Sequence, residues 1–173
     1  MRWSTGVLIA AVAASFGLAL YWWPDVPARV PLHFDLAGAP DRYGERGYWS
    51  WFLLPTLAAL FALFLGWLVP RWIDWLAERA PDLINIPHKQ RFLQLSPEQR
   101  RSALRPVIAL LQVLSCEVVL LFAWMQYATL QVARGAWTHV PTAFVFVVIA
   151  VLLATALGSV PLARRAVARA AGA

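Results

Sequence analysis

Charged residues are scarce in this chain. Only 14% of its 173 residues are Asp, Glu, Lys or Arg, whereas 61% are hydrophobic. An ordinary soluble domain carries about 25% charged and about 45–50% apolar residues. A globule of this length buries too little surface to hide so many apolar side chains. The shortage of charge therefore argues against a soluble domain and favours a protein solvated by a lipid bilayer.

Cysteine and known catalytic motifs are also nearly absent. The single cysteine, Cys116, excludes an intrachain disulfide and lies inside an apolar run, as a small buried residue would. The chain contains no G-x-S-x-G, no H-E-x-x-H and no glycine-rich phosphate loop. It also has no basic polar domain of the kind that binds nucleic acid, despite its net charge of +6. We therefore expect no nucleic-acid partner and no cofactor, and a non-enzymatic role over an enzymatic one.

Four apolar runs are long enough to cross a bilayer core, which takes about 20 helical residues. None contains Lys or Arg, and they are Thr5–Trp23, Trp51–Val69, Val107–Val132 and Thr142–Leu162. The first run continues through apolar residues beyond Ala14, so we interpret it as a retained helix rather than a cleaved signal peptide. The sequence predicts an all-α, four-helix membrane bundle forming one membrane domain over residues 1–173.

The distribution of positive charge predicts the orientation of this bundle. Eleven Lys or Arg residues lie in the N-terminus, the segment 70–106 and the basic tail 163–173, and four lie in the other two connections. By the positive-inside rule, both termini and the segment 70–106 are cytoplasmic, and the loop 24–50 is extracytoplasmic. The basic, alanine-rich tail is then expected to anchor at the inner membrane surface. These features indicate a multi-pass membrane protein whose basic connections face the cytoplasm.

The outer loop has the composition of an ordered structure. Apolar residues alternate over Val30–Leu36, which predicts a short extended segment. Gly38-Ala39-Pro40-Asp41 predicts a turn. Tyr48, Trp49 and Trp51 are expected to act as interfacial anchors, and Pro55 falls in the first turn of the second span.

The cytoplasmic segment is predicted to hold two helices. Over Arg71–Ala80 the tryptophans and aliphatic residues fall on one side, which suits a helix lying along the membrane surface. Ser96-Pro97-Glu98-Gln99 matches a helix start, with Ser96 as cap and Gln99 completing a capping box. Pro106 is expected to bend this short helix into the third span.

Polar residues within the third span are candidate functional groups. Glu117 is the only acidic residue in any span, and an intramembrane carboxylate is costly unless it is paired, protonated or facing water. It could serve function, or it could bond a neighbouring helix and hold the bundle together. At ~100° per residue, Gln112, Ser115 and Gln126 lie roughly opposite Glu117, so this helix is expected to be central.

A metal site in the outer loop is a weaker possibility. His33, Asp35, Asp41 and Glu45 carry ligand types suited to zinc, and His139 could approach from the second outer connection. Their spacing matches no strong motif. The alternative is that His33 and Asp35 bond the backbone of the loop itself.

The loop residues VPLHFDLAGAPDRYGERGYW resemble the pattern P-x-H-F/Y-x-x-x-G-x-x-D of domain of unknown function 1648. That domain forms the N-terminal part of SdpI-type immunity membrane proteins of Gram-positive bacteria. The match is carried by Pro31, His33, Phe34, Gly38, Pro40 and Asp41, with Asp35 within it and Pro55 in the next helix. A later stretch, Asn85, Ile86, Pro87 and Lys89, is similar to an N-I-P-x-K segment that accompanies some members.

This resemblance implies a bacterial inner-membrane protein of the immunity or signalling type. Together with the loop, it favours an envelope protein that recognises a peptide, a lipid or a partner protein. Two alternatives remain, a small proton-coupled transporter using Glu117 and a metal-dependent envelope enzyme using His33, Asp35 and His139. The expected partners are membrane lipid, a peptide or another membrane protein, and a second copy of the chain.

Overall fold

A computed structural model describes residues 3–171 of the chain. In chain order, its helices and strands are α1 (Trp3–Trp22), β1 (Arg29–Phe34), β2 (Pro40–Glu45), α2 (Tyr48–Trp51), α3 (Leu53–Leu63), α4 (Val69–Arg79), α5 (Lys89–Gln94), α6 (Pro97–Ala133) and α7 (Thr142–Ala170). Two parts of the chain lie outside the described residues. They are the first two residues, with Arg2 of the predicted cytoplasmic side, and the last two residues of the basic tail.

Four long helices match the four predicted spans and make this a multi-pass membrane protein. Within the described residues, the helices long and apolar enough to cross a bilayer are Thr5–Asp25, Leu53–Arg79, Pro97–Ala133 and Thr142–Ala170. The second of these is one helical rod, because a five-residue π-helical segment, Phe64–Leu68, joins α3 to α4 without a break. Lipid must contact these helices, since their outer faces carry exposed Leu, Ile, Val and Phe side chains.

The third spanning helix, α6, is the centre of the bundle. It packs against α1, α3 and α7, and among the described residues α7 packs chiefly on α6. Its 37 residues extend about 55 Å at 1.5 Å per residue, against a hydrocarbon core of about 30 Å. Part of α6 therefore projects beyond the membrane, together with the last turns of α4 and α7.

The predicted short helix joins the third span at Pro106 without a break. The short helix and the third span are one continuous helix, Pro97–Ala133, with Pro106 inside it. Ala103, Leu104 and Ile108 are buried on either side of the proline. Packing on both sides therefore holds the helix together where Pro106 lacks an N–H to donate.

The predicted surface helix differs from expectation because it continues the second span, and together with the tail it is built into a packed cluster. α4 continues directly from the second span, and α7 continues through the tail to Ala170. The cluster buries side chains from α4, α5, α6 and α7 and from the connections on both sides of α5. They are Ala77, Ile86, Phe92, Leu95, Ala103, Leu104, Ala163 and Val167. We call this part of the molecule the basic end.

The opposite end of the bundle, the hairpin end, holds a β-hairpin and the short helix α2. β1 and β2 form a two-stranded antiparallel sheet, with Arg29 opposite Glu45 and Pro31 opposite Tyr43. The sequence predicted one extended segment followed by a turn at Gly38–Asp41. In the structure Pro40 and Asp41 already belong to β2, and the turn lies earlier, between Asp35 and Ala39.

Candidate functional site

The hairpin turn is formed by backbone and side-chain bonds of Asp35. Its N–H donates to the Ala39 carbonyl (2.9 Å), and its own carbonyl accepts from the Gly38 N–H (2.9 Å). The Asp35 carboxylate also accepts from the Ala39 N–H (2.9 Å). An aspartate that satisfies its own turn in this way has a local structural role. This agrees with the alternative in which Asp35 bonds the backbone of the loop.

His33 and Asp41 face each other across the two strands. The His33 Nδ1–H donates to Asp41 Oδ1 at 2.7 Å, and both side chains are about half exposed. The register shifts on both sides of His33, whose Cα partner is Arg42, so Asp41 is the neighbour of that partner on β2. An exposed pair of this kind contributes at most about 1 kcal/mol to the free energy of unfolding. Its main effect is therefore to align the two strands.

Gly38 joins the hairpin to the connection between α6 and α7. Its carbonyl accepts from the Val140 N–H at 2.8 Å. Its φ of +82° is one that L side chains rarely adopt, and a β-carbon there would overlap the Val140 carbonyl oxygen. Glycine is therefore required here both for its backbone conformation and for the close approach of two chain segments.

Phe34 packs where the hairpin meets the bundle. It lies against a cluster of buried residues, Ala128, Val132 and Val140, with Trp124 and Trp137 beside it. Pro31 is buried as well. The motif residues Pro31, Phe34 and Gly38 thus attach the hairpin to the bundle.

Trp51 connects the base of the hairpin to two spanning helices. Its indole Nε1–H donates to the Ala19 carbonyl of α1 (2.9 Å), and its own carbonyl accepts from Gln126 Nε2 of α6 (3.2 Å). The ring is almost fully buried with Val26, Val30 and Leu130. Gln126, one of the polar candidates in the third span, therefore has a structural partner.

Charged side chains complete this attachment around the hairpin base. Arg46 donates to the Val26 carbonyl (3.0 Å) and lies over the Trp23 ring, 4.9 Å from its centroid. Arg134 forms an ion pair with Asp25 at 2.7 Å. The hairpin is therefore bound to the bundle at its turn and at its base.

The attached hairpin end exposes apolar and aromatic side chains. Leu36 at the turn is 91% exposed and Trp49 on α2 is 74% exposed. Tyr48 is also exposed, and its ring lies against Trp49 and Phe52. Next to the turn, a cavity of about 230 Å³ lies between the hairpin and the start of α7. Leu36, Tyr48, Trp49 and this cavity are here called the hairpin surface.

Glu117 and Gln112 face different neighbours within the bundle. Thr155 of α7 donates to Glu117 Oε1 at 3.0 Å, while Glu117 Oε2 is buried with no hydrogen-bond partner among residues 3–171. On the other side of α6, Gln112 Nε2 donates to Thr5 Oγ1 (3.4 Å) and to the Gly66 carbonyl in the π-helical segment (3.5 Å). Both polar faces of α6 are thus used for helix–helix contacts.

The N-I-P-x-K residues lie at the basic end, far along the chain from the hairpin. Ile86 is buried in the cluster there, whereas Asn85 and Lys89 are exposed. Pro87 begins the turn before α5, where His88 adopts the left-handed conformation (φ +58°). The motif therefore directs the chain into α5 and leaves the two polar side chains at the surface.

The candidate metal ligands do not assemble. Across residues 3–171, no three His, Cys, Asp or Glu side chains form a group that could hold a metal ion. His33 is paired with Asp41, Asp35 bonds Ala39, and His139 Nδ1 lies 2.9 Å from Thr138 Oγ1.

Three residues central to this arrangement were not among the candidates from sequence. They are Trp51, Val140 and Arg100, whose guanidinium donates to the carbonyls of Ala77, Phe92 and Leu93 at the basic end. Trp51 was predicted only as an interfacial anchor. Val140 and Arg100 make long-range contacts with backbone atoms, which leave no local pattern in a sequence.

The fold and the site define a multi-pass membrane protein with a hairpin attached to one end. Comparison with known proteins agrees, since residues 10–59 match the model of the family described as Domain of unknown function (DUF1648). This confirms the resemblance seen in the loop residues. The matched region begins within α1 and ends within α3, so it covers the larger part of α1, the hairpin and the start of the second span.

One curated relative is the "Uncharacterized membrane protein YbgB" of Bacillus subtilis (strain 168). It is 36% identical over 56 residues, which is 32% of this chain and 60% of the relative. The match therefore spans less than two thirds of that protein's length. No solved structure matches the chain significantly.

Proposed function

We propose that the chain is a non-enzymatic protein of a bacterial cytoplasmic membrane whose hairpin surface recognises a peptide, a lipid or a partner protein. Both termini and the basic end lie in the cytoplasm in this proposal, and the hairpin end faces away from it. The excess of Lys and Arg at the basic end supports this orientation.

The observation that carries the proposal is how the motif residues are used. Pro31, Phe34 and Gly38 attach the hairpin, and Asp35 forms its turn. Attachment at two points limits the motion of the turn, which presents the exposed side chain of Leu36 at the surface. Ordered, exposed apolar and aromatic groups of this kind mark interaction sites, because ordering has already removed part of the entropic cost of binding.

A photocrosslinking experiment tests the proposal. A photoreactive amino acid replaces Leu36 in cells that express the full chain, with a matched replacement of Leu153, an exposed residue of α7 in the apolar span, as control. We expect a discrete adduct from position 36 that position 153 does not form, and its mass class distinguishes peptide, lipid and protein.

A second variant tests whether the adduct depends on the attached hairpin. Gly38→Val should remove the discrete adduct while the protein still inserts in the membrane, because the side chain would separate the hairpin from Val140. Deletion of residues 32–43 should likewise abolish any cellular phenotype of the gene. Identical adducts from positions 36 and 153, or an unchanged phenotype after the deletion, would contradict the proposal.

A small proton-coupled transporter that uses Glu117 is the second candidate. It is supported by the buried Glu117 Oε2, which lacks a hydrogen-bond partner within the described part of the chain. The bond from Thr155 to the other oxygen supports the structural alternative instead. Replacement of Glu117 by Gln should eliminate pH-dependent flux in proteoliposomes if this candidate is right, and a fully active variant would exclude it.

A further inference from the structure

A polar cavity of about 620 Å³ opens at the basic end, at the opposite end of the bundle from the hairpin surface. It lies between α5, the first turn of α6 and the end of α7. Arg91, Gln94, Gln99 and Arg169 contribute its polar side chains, and no Asp or Glu is among the described residues that line it. The cavity is therefore lined by hydrogen-bond donors and by positive charge.

Some arginines elsewhere in the chain have partners of their own. Arg101 pairs with Glu78, Arg134 pairs with Asp25, and Arg100 donates to three carbonyls. Arg91 and Arg169 have neither an acidic nor an aromatic partner within residues 3–171. Two unpaired cations that line one cavity repel each other, and an anion between them would relieve that repulsion.

The surroundings of the cavity hold its walls in place. Gln99 donates from Nε2 to the Ala170 carbonyl (3.4 Å) and accepts from the Ser96 N–H at Oε1 (2.9 Å), so it links the start of α6 to the end of α7. Phe92 and Leu95 of the adjoining wall are buried in the basic-end cluster. The N-terminus of the 37-residue helix α6 adds partial positive charge on the same side, whereas the C-terminal ends of α5 and α7 add partial negative charge, so the attraction for an anion comes chiefly from the two arginines.

We propose that this cavity binds a phosphate group, carried by an anionic lipid headgroup or by a soluble phosphate compound. Arginine guanidinium groups match the oxygen geometry of phosphate and hold it with two parallel hydrogen bonds. Gln99 lies eight residues before the predicted start of the third span, which is about 12 Å at 1.5 Å per residue. The headgroup layer extends only about 5–8 Å beyond the hydrocarbon core, so Gln99 lies a few ångströms outside it, and a soluble phosphate reaches the cavity more directly than a lipid headgroup does.

Protection of a single cysteine tests this proposal on the full chain. Cys116 is replaced by Ala, and Gln94→Cys then provides a thiol in the cavity, with Asn85→Cys as an exposed thiol at the same end but outside it. Maleimide modification rates are measured in detergent with inorganic phosphate or pyrophosphate against chloride of equal ionic strength. They are measured again in phosphatidylcholine vesicles with and without phosphatidylglycerol.

At a phosphate concentration about ten times its Kd for the cavity, maleimide modification of Gln94→Cys should slow about tenfold. The modification rate of Asn85→Cys should be unchanged. Protection by the soluble anions identifies a soluble source, and protection only by phosphatidylglycerol identifies a lipid headgroup. The pair Arg91→Gln and Arg169→Gln should abolish protection. The matched pair Arg164→Gln and Arg165→Gln, which lies outside the cavity lining, should retain it.

Three results would overturn the proposal. They are no protection in either medium, equal protection of both thiols, and equal loss of protection in the two arginine pairs. If a cysteine or arginine variant does not fold, the unsubstituted chain decides the question through its thermal midpoint in the same media. A midpoint unchanged by phosphate, pyrophosphate and phosphatidylglycerol would then exclude the site.

Discussion

Replacing Gly38 by Ala should detach the hairpin from the bundle while leaving the spanning helices intact. A non-glycine residue in the left-handed region costs roughly 1–2 kcal/mol. The β-carbon would also overlap the Val140 carbonyl oxygen, and the hydrogen bond from Val140 to Gly38 would weaken or break, for about another 1–2 kcal/mol. The sum, about 2–4 kcal/mol, raises the fraction of molecules in which the hairpin is detached from the bundle about 30- to 700-fold.

Hydrogen–deuterium exchange of the purified protein measures this opening locally. Gly135→Ala is a matched control, because Gly135 also has a positive φ (+73°) but no atom lies within 4 Å of its added β-carbon. We expect exchange at the Val140 amide and across β1 to increase about tenfold more in Gly38→Ala than in Gly135→Ala. Equal effects of the two substitutions would show that the Gly38–Val140 contact does not hold the hairpin.

Three further substitutions, with Arg101→Ala as a control, test the packing of the bundle by thermal unfolding in detergent. Arg100→Ala should lower the free energy of unfolding by about 2–3 kcal/mol, because three carbonyls lose their donor. Arg101→Ala removes an exposed ion pair and should lower it by under about 1 kcal/mol. Equal losses in the two variants would contradict this. Thr155→Val should cost about 1 kcal/mol through its bond to Glu117, and no change would mean that the bond is not formed. Trp51→Phe should cost about 2–3 kcal/mol by leaving the Ala19 carbonyl without its donor, and a neutral effect would remove Trp51 from its central role.

The spanning helices were predictable because bilayer insertion depends on long apolar runs, which a sequence displays directly. The start of α6 was equally local. Ser96 Oγ accepts from the Gln99 N–H (3.3 Å) and Gln99 Oε1 accepts from the Ser96 N–H (2.9 Å), as the spacing of the capping box predicts. In both cases the residues that determine the structure are close together in the chain.

The hairpin and the basic-end cluster were less predictable because they depend on distant contacts. β2 is short and polar and contains Pro40 and Gly44, so its sequence has no alternation of apolar and polar residues. Its extended conformation depends instead on its pairing with β1. The cluster is formed by small residues such as Ala77 and Ala163, which come from helices far apart in sequence. The motif residues lie within the region that matches the family model, but their attachment to Val140 required the structure.

Cysteine labelling of intact cells tests most directly that the hairpin end and the basic end lie on opposite sides of the membrane. In a Cys116→Ala background, Leu36→Cys exposes a thiol at the hairpin surface and Asn85→Cys exposes one at the basic end. A membrane-impermeant maleimide should label Leu36→Cys in intact cells or spheroplasts, and Asn85→Cys only after permeabilisation. Labelling of Asn85→Cys in intact cells, with Leu36→Cys protected until the membrane is opened, would contradict the account.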